Sequence, residues 1–137
     1  MSESVKNVME SFSRCAGKDL VGRFYEIFLK SDPRIPAKFS HTDFQKQKDL
    51  LNHGIYLAIL HADGNKMGTQ GLTRLRDSHS KVKLNMQPAL YAFWKNSFLK
   101  ALAEIDPQFS DDVRAEWDAV LQKAIDFVAS GYDKTPA

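Results

Sequence analysis

Apolar residues recur along this chain at intervals of three and four, the spacing of one face of a helix. Val5, Val8, Met9 and Phe12 form a first stripe. Leu20, Val21, Phe24, Tyr25, Phe28 and Leu29 form another, opening near Asp19 after a break at Gly17. Phe44, Gln47, Leu51, Ile55 and Ala58 share a face of a longer segment that ends near Ala62. Thr42 followed by Gln45 predicts a capping box at its start. Asp63 to Gly68 predicts a loop, after which Leu72, Leu75, His79 and Val82 line a short helix. Leu90, Tyr91, Trp94, Phe98, Leu102 and Ile105 follow, with Pro88 at the favoured first position. Ser110 is placed to cap a last helix bearing Val113, Trp117, Val120, Leu121, Ala124 and Val128, and Gly131 to stop it.

The five prolines fall between these segments or at their edges. Pro33 to Lys38 predicts a short turn leading to Phe39. Strand-type alternation persists nowhere for more than a few residues. The pattern therefore predicts an all-α fold of six or seven helices. A simple bundle accommodates the Pro33 turn and the short helix before Pro88 poorly, so an orthogonally packed helical sandwich is expected. Gly22 and Gly54, each inside a helical segment, are expected to mark close helix crossings.

Composition narrows the class. The 137 residues suit a single domain spanning 1–137. With 43% hydrophobic residues and a net charge of +2, the chain is not of the disordered type. Near-neutrality also argues against a dedicated nucleic-acid partner. The single cysteine, Cys15, excludes an intrachain disulfide and a thiolate-clustered metal, and is expected to be a small buried hydrophobe. The start, Met-Ser-Glu-Ser-Val-Lys, lacks a secretory core, and the longest apolar run, Ile55 to Leu60, is far short of a bilayer span. A cytoplasmic protein without a membrane partner is the expectation.

Candidate chemistry centres on the histidines. His41 falls in a predicted loop, and His53 and His61 lie off the apolar stripe of their helix, where solvent is expected. His79 belongs to a stripe and should point inward, so one of its nitrogens needs a partner. Taken alone, a core histidine bonded to a backbone carbonyl is the commoner case, and a metal ligand the sharper one. Gln47 and Tyr25 are likewise polar positions among apolar neighbours. An apolar slot with one imidazole and two hydrogen-bonding groups suits a haem and a diatomic ligand.

In these residues the chain resembles the single-domain bacterial globins. Phe24-Tyr25, then Pro33, then Phe39 looks like the pattern in which a tyrosine overhangs the haem and a phenylalanine packs flat on it. Gln47 and Leu51 resemble the distal pair, with Gln45 as the alternative to Gln47; Gln47 is preferred because Gln45 would put Asp49 where the apolar residue belongs. Leu72-x-x-Leu75-x-x-x-His79 is similar to the helix carrying the iron ligand, and His79 lies 32 residues after Gln47. Pro88, Tyr91 and Leu99 resemble the following helix, and Trp117 the last. The resemblance runs from about Leu20 to Val128 and implies a globin-like sandwich in which the fourth, or D, helix is short or missing.

It further implies haem iron, non-covalently held and of b type, bound through His79. Phe39, Phe44, Gln47, Leu51, Leu75, Val82, Lys83 and Tyr91 would form the haem pocket, with Lys83 toward a propionate, and Tyr25, Gln47 and Leu51 would face the gas. Dioxygen binding is the implied function. The alternatives are nitric oxide dioxygenation with an external reductase, gas sensing, and a helical module without cofactor. Leu121 and Tyr132 stand where the resemblance to flavohaemoglobins would require a tyrosine and a glutamate, so peroxidase-like O–O cleavage is not implied. Nor is a flavin and nicotinamide domain.

Overall fold

The computed structural model describes residues 2–79 and 86–132, and among them the chain forms seven helices and no strand. They are α1 (Glu3–Arg14), α2 (Leu20–Phe28), α3 (Ile35–Lys38), α4 (Phe44–Ala62), α5 (Lys66–Ser78), α6 (Leu90–Ile105) and α7 (Asp111–Ala129). None is long and apolar enough to cross a membrane.

Short polar side chains begin most of them, satisfying N–H groups that have no partner inside the helix. Ser2 accepts from the Val5 amide, Asn65 from Met67, and Ser110 from Val113. Asp19 caps Gly22 from a left-handed backbone (φ 51°), a conformation that aspartate tolerates better than bulkier residues. The expected capping box at Thr42 is not formed. Asp43 caps α4 instead, accepting from the amides of Gln45 and Lys46, because a carboxylate one residue nearer the helix outcompetes the hydroxyl. Pro88 lies in a turn ahead of α6, whose cap is Ala89. The expected Pro33–Lys38 turn includes the four-residue α3, with Pro36 in its first turn. The 63–68 loop is shorter than expected, since Asn65 already starts α5.

Packing joins elements distant in sequence as well as consecutive ones. α2 lies on α6, α1 on α7, and α4 on α5, while α7 also touches α4, α5 and α6. Neighbours in space are thus not simply neighbours in sequence, as a sandwich requires and an up-and-down bundle does not. At the centre Phe24, Phe98 and Trp117 are completely buried. Glycine permits the α4–α5 contact, at a position other than those expected. A Cβ on Gly68 would stand 2.6 Å from the His61 amide nitrogen and 2.9 Å from the Leu57 carbonyl oxygen. Gly54 meets only Leu75, at an ordinary 3.6 Å, and Gly22 faces its own cap Asp19.

A buried polar junction fastens α1 to the end of α6. Asp106, 3% exposed, accepts from Ser11 Oγ at 2.6 Å, from Arg14 at 2.7 and 3.0 Å, and from the Gln108 amide at 2.9 Å. Burial alone would push its carboxyl up, but Arg14, Ser11 and Gln108 together hold it below the usual range. Trp117 Nε1–H donates to Ser11 Oγ at 2.8 Å and ties α7 into the same junction. Cys15 is buried, and burial pushes its thiol up to about 11, so the thiolate needed for reactivity is suppressed.

Candidate functional site

Between α2, the 39–42 link, α4, α5, residues 86–91, α6 and α7 lies a cavity of about 350 Å³. Most of its wall is leucine, isoleucine, valine, alanine and aromatic carbon; the polar groups in it are few, which is the usual make-up of a small-molecule site. Leu50 belongs to the wall and is also 62% exposed, so the cavity opens to solvent beside the start of α4.

Tyr25 is delivered by α2. Its position after Phe24 turns it to the cavity side of the helix, and aromatic edges fix its ring: Phe24 at 4.9 Å, Phe44 at 5.5 Å and Phe39 at 5.9 Å. Burial pushes its phenol up to about 12, with polar contact to the Gln47 side chain acting in the opposite sense. Gln47 itself, one turn into α4, lines the cavity, as do Phe39, Thr42 and Leu51. Gln45 is exposed and is not in the wall.

His79 forms the C-cap of α5. Its Nδ1 lies 2.8 Å from the Leu75 carbonyl oxygen, one turn back, and 3.0 Å from Ser78 Oγ, which also donates to that carbonyl. A carbonyl only accepts, so in the neutral ring the proton sits on Nδ1 and the lone pair on Nε2. Burial lowers the imidazole pKa despite the opposing bond to Leu75, which keeps the ring neutral and basic at Nε2 near pH 7. Leu75 and Tyr91 share this part of the wall, and burial pushes the Tyr91 phenol up to about 12.

Of the residues singled out by sequence, the cavity gathers Tyr25, Phe39, Gln47, Leu51, Leu75, His79 and Tyr91. Phe44 is not in the wall; it stands behind, against Tyr25 and Phe39. Val82 and Lys83 lie outside the described residues. Sequence reading did not assign Lys38, Thr42, Leu72, Met86 or Trp94 to the site, nor Ala124, Ile125 and Val128 of α7, and all of them line the cavity. Ala124 and Val128 carried a signal, since the apolar stripe they belong to was visible, but a stripe does not say whether it meets side chains or a ligand. His61 departs from the solvent-exposed expectation. It is half-buried, pairs with Thr69 Oγ1 at 2.8 Å, and packs on the Phe127 ring at 5.0 Å, because α5 and α7 close over that side of α4. It does not line the cavity.

Among the described residues no three His, Cys, Asp or Glu groups come together as a cage for a bare metal ion.

Comparison with known proteins agrees with this architecture. The family model described as Globin matches residues 22–128. No curated protein sequence matches the chain significantly. Among solved structures, protein PA3967 of Pseudomonas aeruginosa PAO1, described as structurally highly homologous to a human hemoglobin, superposes with a TM-score of 0.91. The two are 36% identical, over 96% of this chain and 100% of that one. With the family model spanning most of its length and the helices packed as described, the chain belongs to the globin family.

Proposed function

We propose that this globin binds haem through His79 and uses it to bind dioxygen. The observation that carries the proposal is the His79–Leu75 hydrogen bond, which fixes the tautomer and leaves Nε2 as a lone-pair donor in an apolar cavity. The residues present suit the group. One imidazole outside any cluster of three metal-binding side chains among the described residues suits an iron whose remaining ligands a porphyrin would supply, and the mainly aromatic and aliphatic lining suits the apolar faces of that group. Cys15 does not line the cavity, which favours non-covalent, b-type attachment.

Haem, when bound, supplies ferrous iron, to which a diatomic gas can attach. The chain's own residues account for the rest. His79 holds the iron with a neutral ring, and its Nδ1–H keeps that ring oriented. Tyr25 supplies an O–H and Gln47 an amide N–H, each able to donate to a bound gas that carries partial negative charge. In a site largely shielded from water each such bond contributes on the order of 1 kcal/mol net, about fivefold in affinity. The phenol, held up near 12, keeps its proton and remains a donor throughout the physiological range.

The test is the absorption spectrum of the protein as expressed and after addition of haemin. An intense haem band is expected in the wild type and in His41→Ala, His53→Ala and His61→Ala, and its loss in His79→Ala. Equal haem content in all four variants would remove His79 as the ligand, and a colourless protein that takes up no haemin would remove the haem.

A further inference from the structure

A second cavity, of about 410 Å³, lies where the end of α1, the turn after it and the start of α2 face α4. α4 packs far more sparsely on α1 and α2 than on α5 and α7, and the space is what that sparse packing leaves. Its wall runs from Tyr56, 44% exposed, inward to Cys15 and Leu20, which are 4% and 5% exposed, so it reaches from the surface to the edge of the core. It shares no wall residue with the cavity of His79. On α4, Gln47, Leu51 and Ile55 line the first cavity, whereas Asn52 and Tyr56 line the second.

We propose that this second cavity is a ligand site for a small neutral ring compound carrying one hydroxyl or N–H group, of the phenol or indole class. The inner wall favours a ring. Met9 offers a polarisable thioether and Phe12 an aromatic surface, with Leu20 beneath, and such surroundings reward burial of a flat apolar body.

The charges around the cavity favour neutrality. Asp19 brings a carboxylate to the wall, but that carboxylate already accepts from the Gly22 amide at 3.2 Å and from Lys48 Nζ at 3.3 Å. An organic cation would have to compete with Lys48 for it, and an organic anion would meet it as a like charge. Cys15 adds no charge, because burial pushes its thiol up to about 11. The remaining polar groups, those of Ser13, Asn52 and Tyr56, are uncharged and stand on the exposed side of the wall. They suit a single hydroxyl or N–H left near the surface while the ring goes inward, so that no polar group of the ligand is buried without a partner.

The test titrates phenol into protein isotope-labelled at its methionine methyl groups and follows them by NMR. Any haem present is reduced under carbon monoxide so that the iron is diamagnetic. Met9 lines the second cavity and Met86 the first, so two methyl signals tell the sites apart whether or not the protein carries haem. The Met9 signal is identified by its loss in Met9→Leu. It is expected to shift saturably under the ring current of bound phenol, with a dissociation constant on the order of 1 mM. Ala16→Phe places a ring in the cavity from an exposed turn position, and Tyr56→Ala removes the outer wall. Each is expected to weaken binding about tenfold, and neither touches the core. Benzoate and benzylammonium, similar in size but charged, are expected to bind about tenfold more weakly than phenol. A shift confined to Met86, no saturable shift at Met9, or unchanged affinity in Ala16→Phe would remove the site. Tighter binding of either charged compound would overturn its assignment to neutral ligands.

Discussion

A single hydroxyl, that of Tyr25, separates two outcomes for a gas in the cavity. The ring is clamped by Phe24, Phe39 and Phe44, so Tyr25→Phe removes the donor without releasing the ring. With haem bound, dioxygen release is expected to quicken about fivefold, the kinetic counterpart of about 1 kcal/mol, as measured by stopped flow. Carbon monoxide, which carries less charge, is expected to leave at an unchanged rate; equal acceleration of both gases would show that the hydroxyl acts by bulk alone. At this scale the sequence was informative wherever a polar residue interrupted an apolar stripe, which is how Tyr25, Gln47 and His79 stood out. It was less informative where two aromatic residues had equal claims. Spacing places Phe44 and Trp94 on inward faces alike, yet Phe44 backs Tyr25 while Trp94 reaches the wall. Only the helix crossings decide that, and Lys38 and Thr42, as polar residues near a turn, gave no signal at all. His61 shows the converse limit: a face polar along its own helix was half-covered by α5 and α7.

Helices were read from periodicity, and their order from α1 to α7 follows it closely. Their ends were harder, because a cap is decided between neighbours one residue apart, as with Asp43 over Thr42. Glycine positions were harder still, since close approach is a property of a pair of helices. The α4–α5 contact is built at Gly68, where a methyl group would press on the backbone of the neighbouring helix rather than on a side chain that could rotate away. Gly68→Ala is expected to cost about 1–3 kcal/mol in urea denaturation. Gly54→Ala is the contrasting case: its Cβ would make one ordinary contact with Leu75, so the better helix propensity of alanine is expected to raise stability by up to about 1 kcal/mol. If Gly68→Ala were neutral, α4 and α5 would have room to part.

On the scale of the whole molecule, the Asp106 junction has a defined pH signature. Its carboxyl lies lower in the folded chain than in the unfolded one, where about 3.9 is normal. The stabilisation is therefore fully present above about pH 4 to 5, and disappears as acid brings the pH down through the folded value. Asp106→Asn is expected to lower stability at pH 7 by about 2–3 kcal/mol, since Arg14 loses its partner, and to flatten the acid limb of a stability profile. An unaltered acid limb would place the acid sensitivity elsewhere. The same junction has a further consequence for the order of events during synthesis. Ser11 meets Asp106 across 95 residues and Trp117 across 106, so these bonds of α1 form only once α6 and α7 have been made, whereas its packing on α4 does not wait for them. Until then its apolar face, with Val5 and Val8, lacks α7, the helix it packs on most, and α1 is secured in two stages.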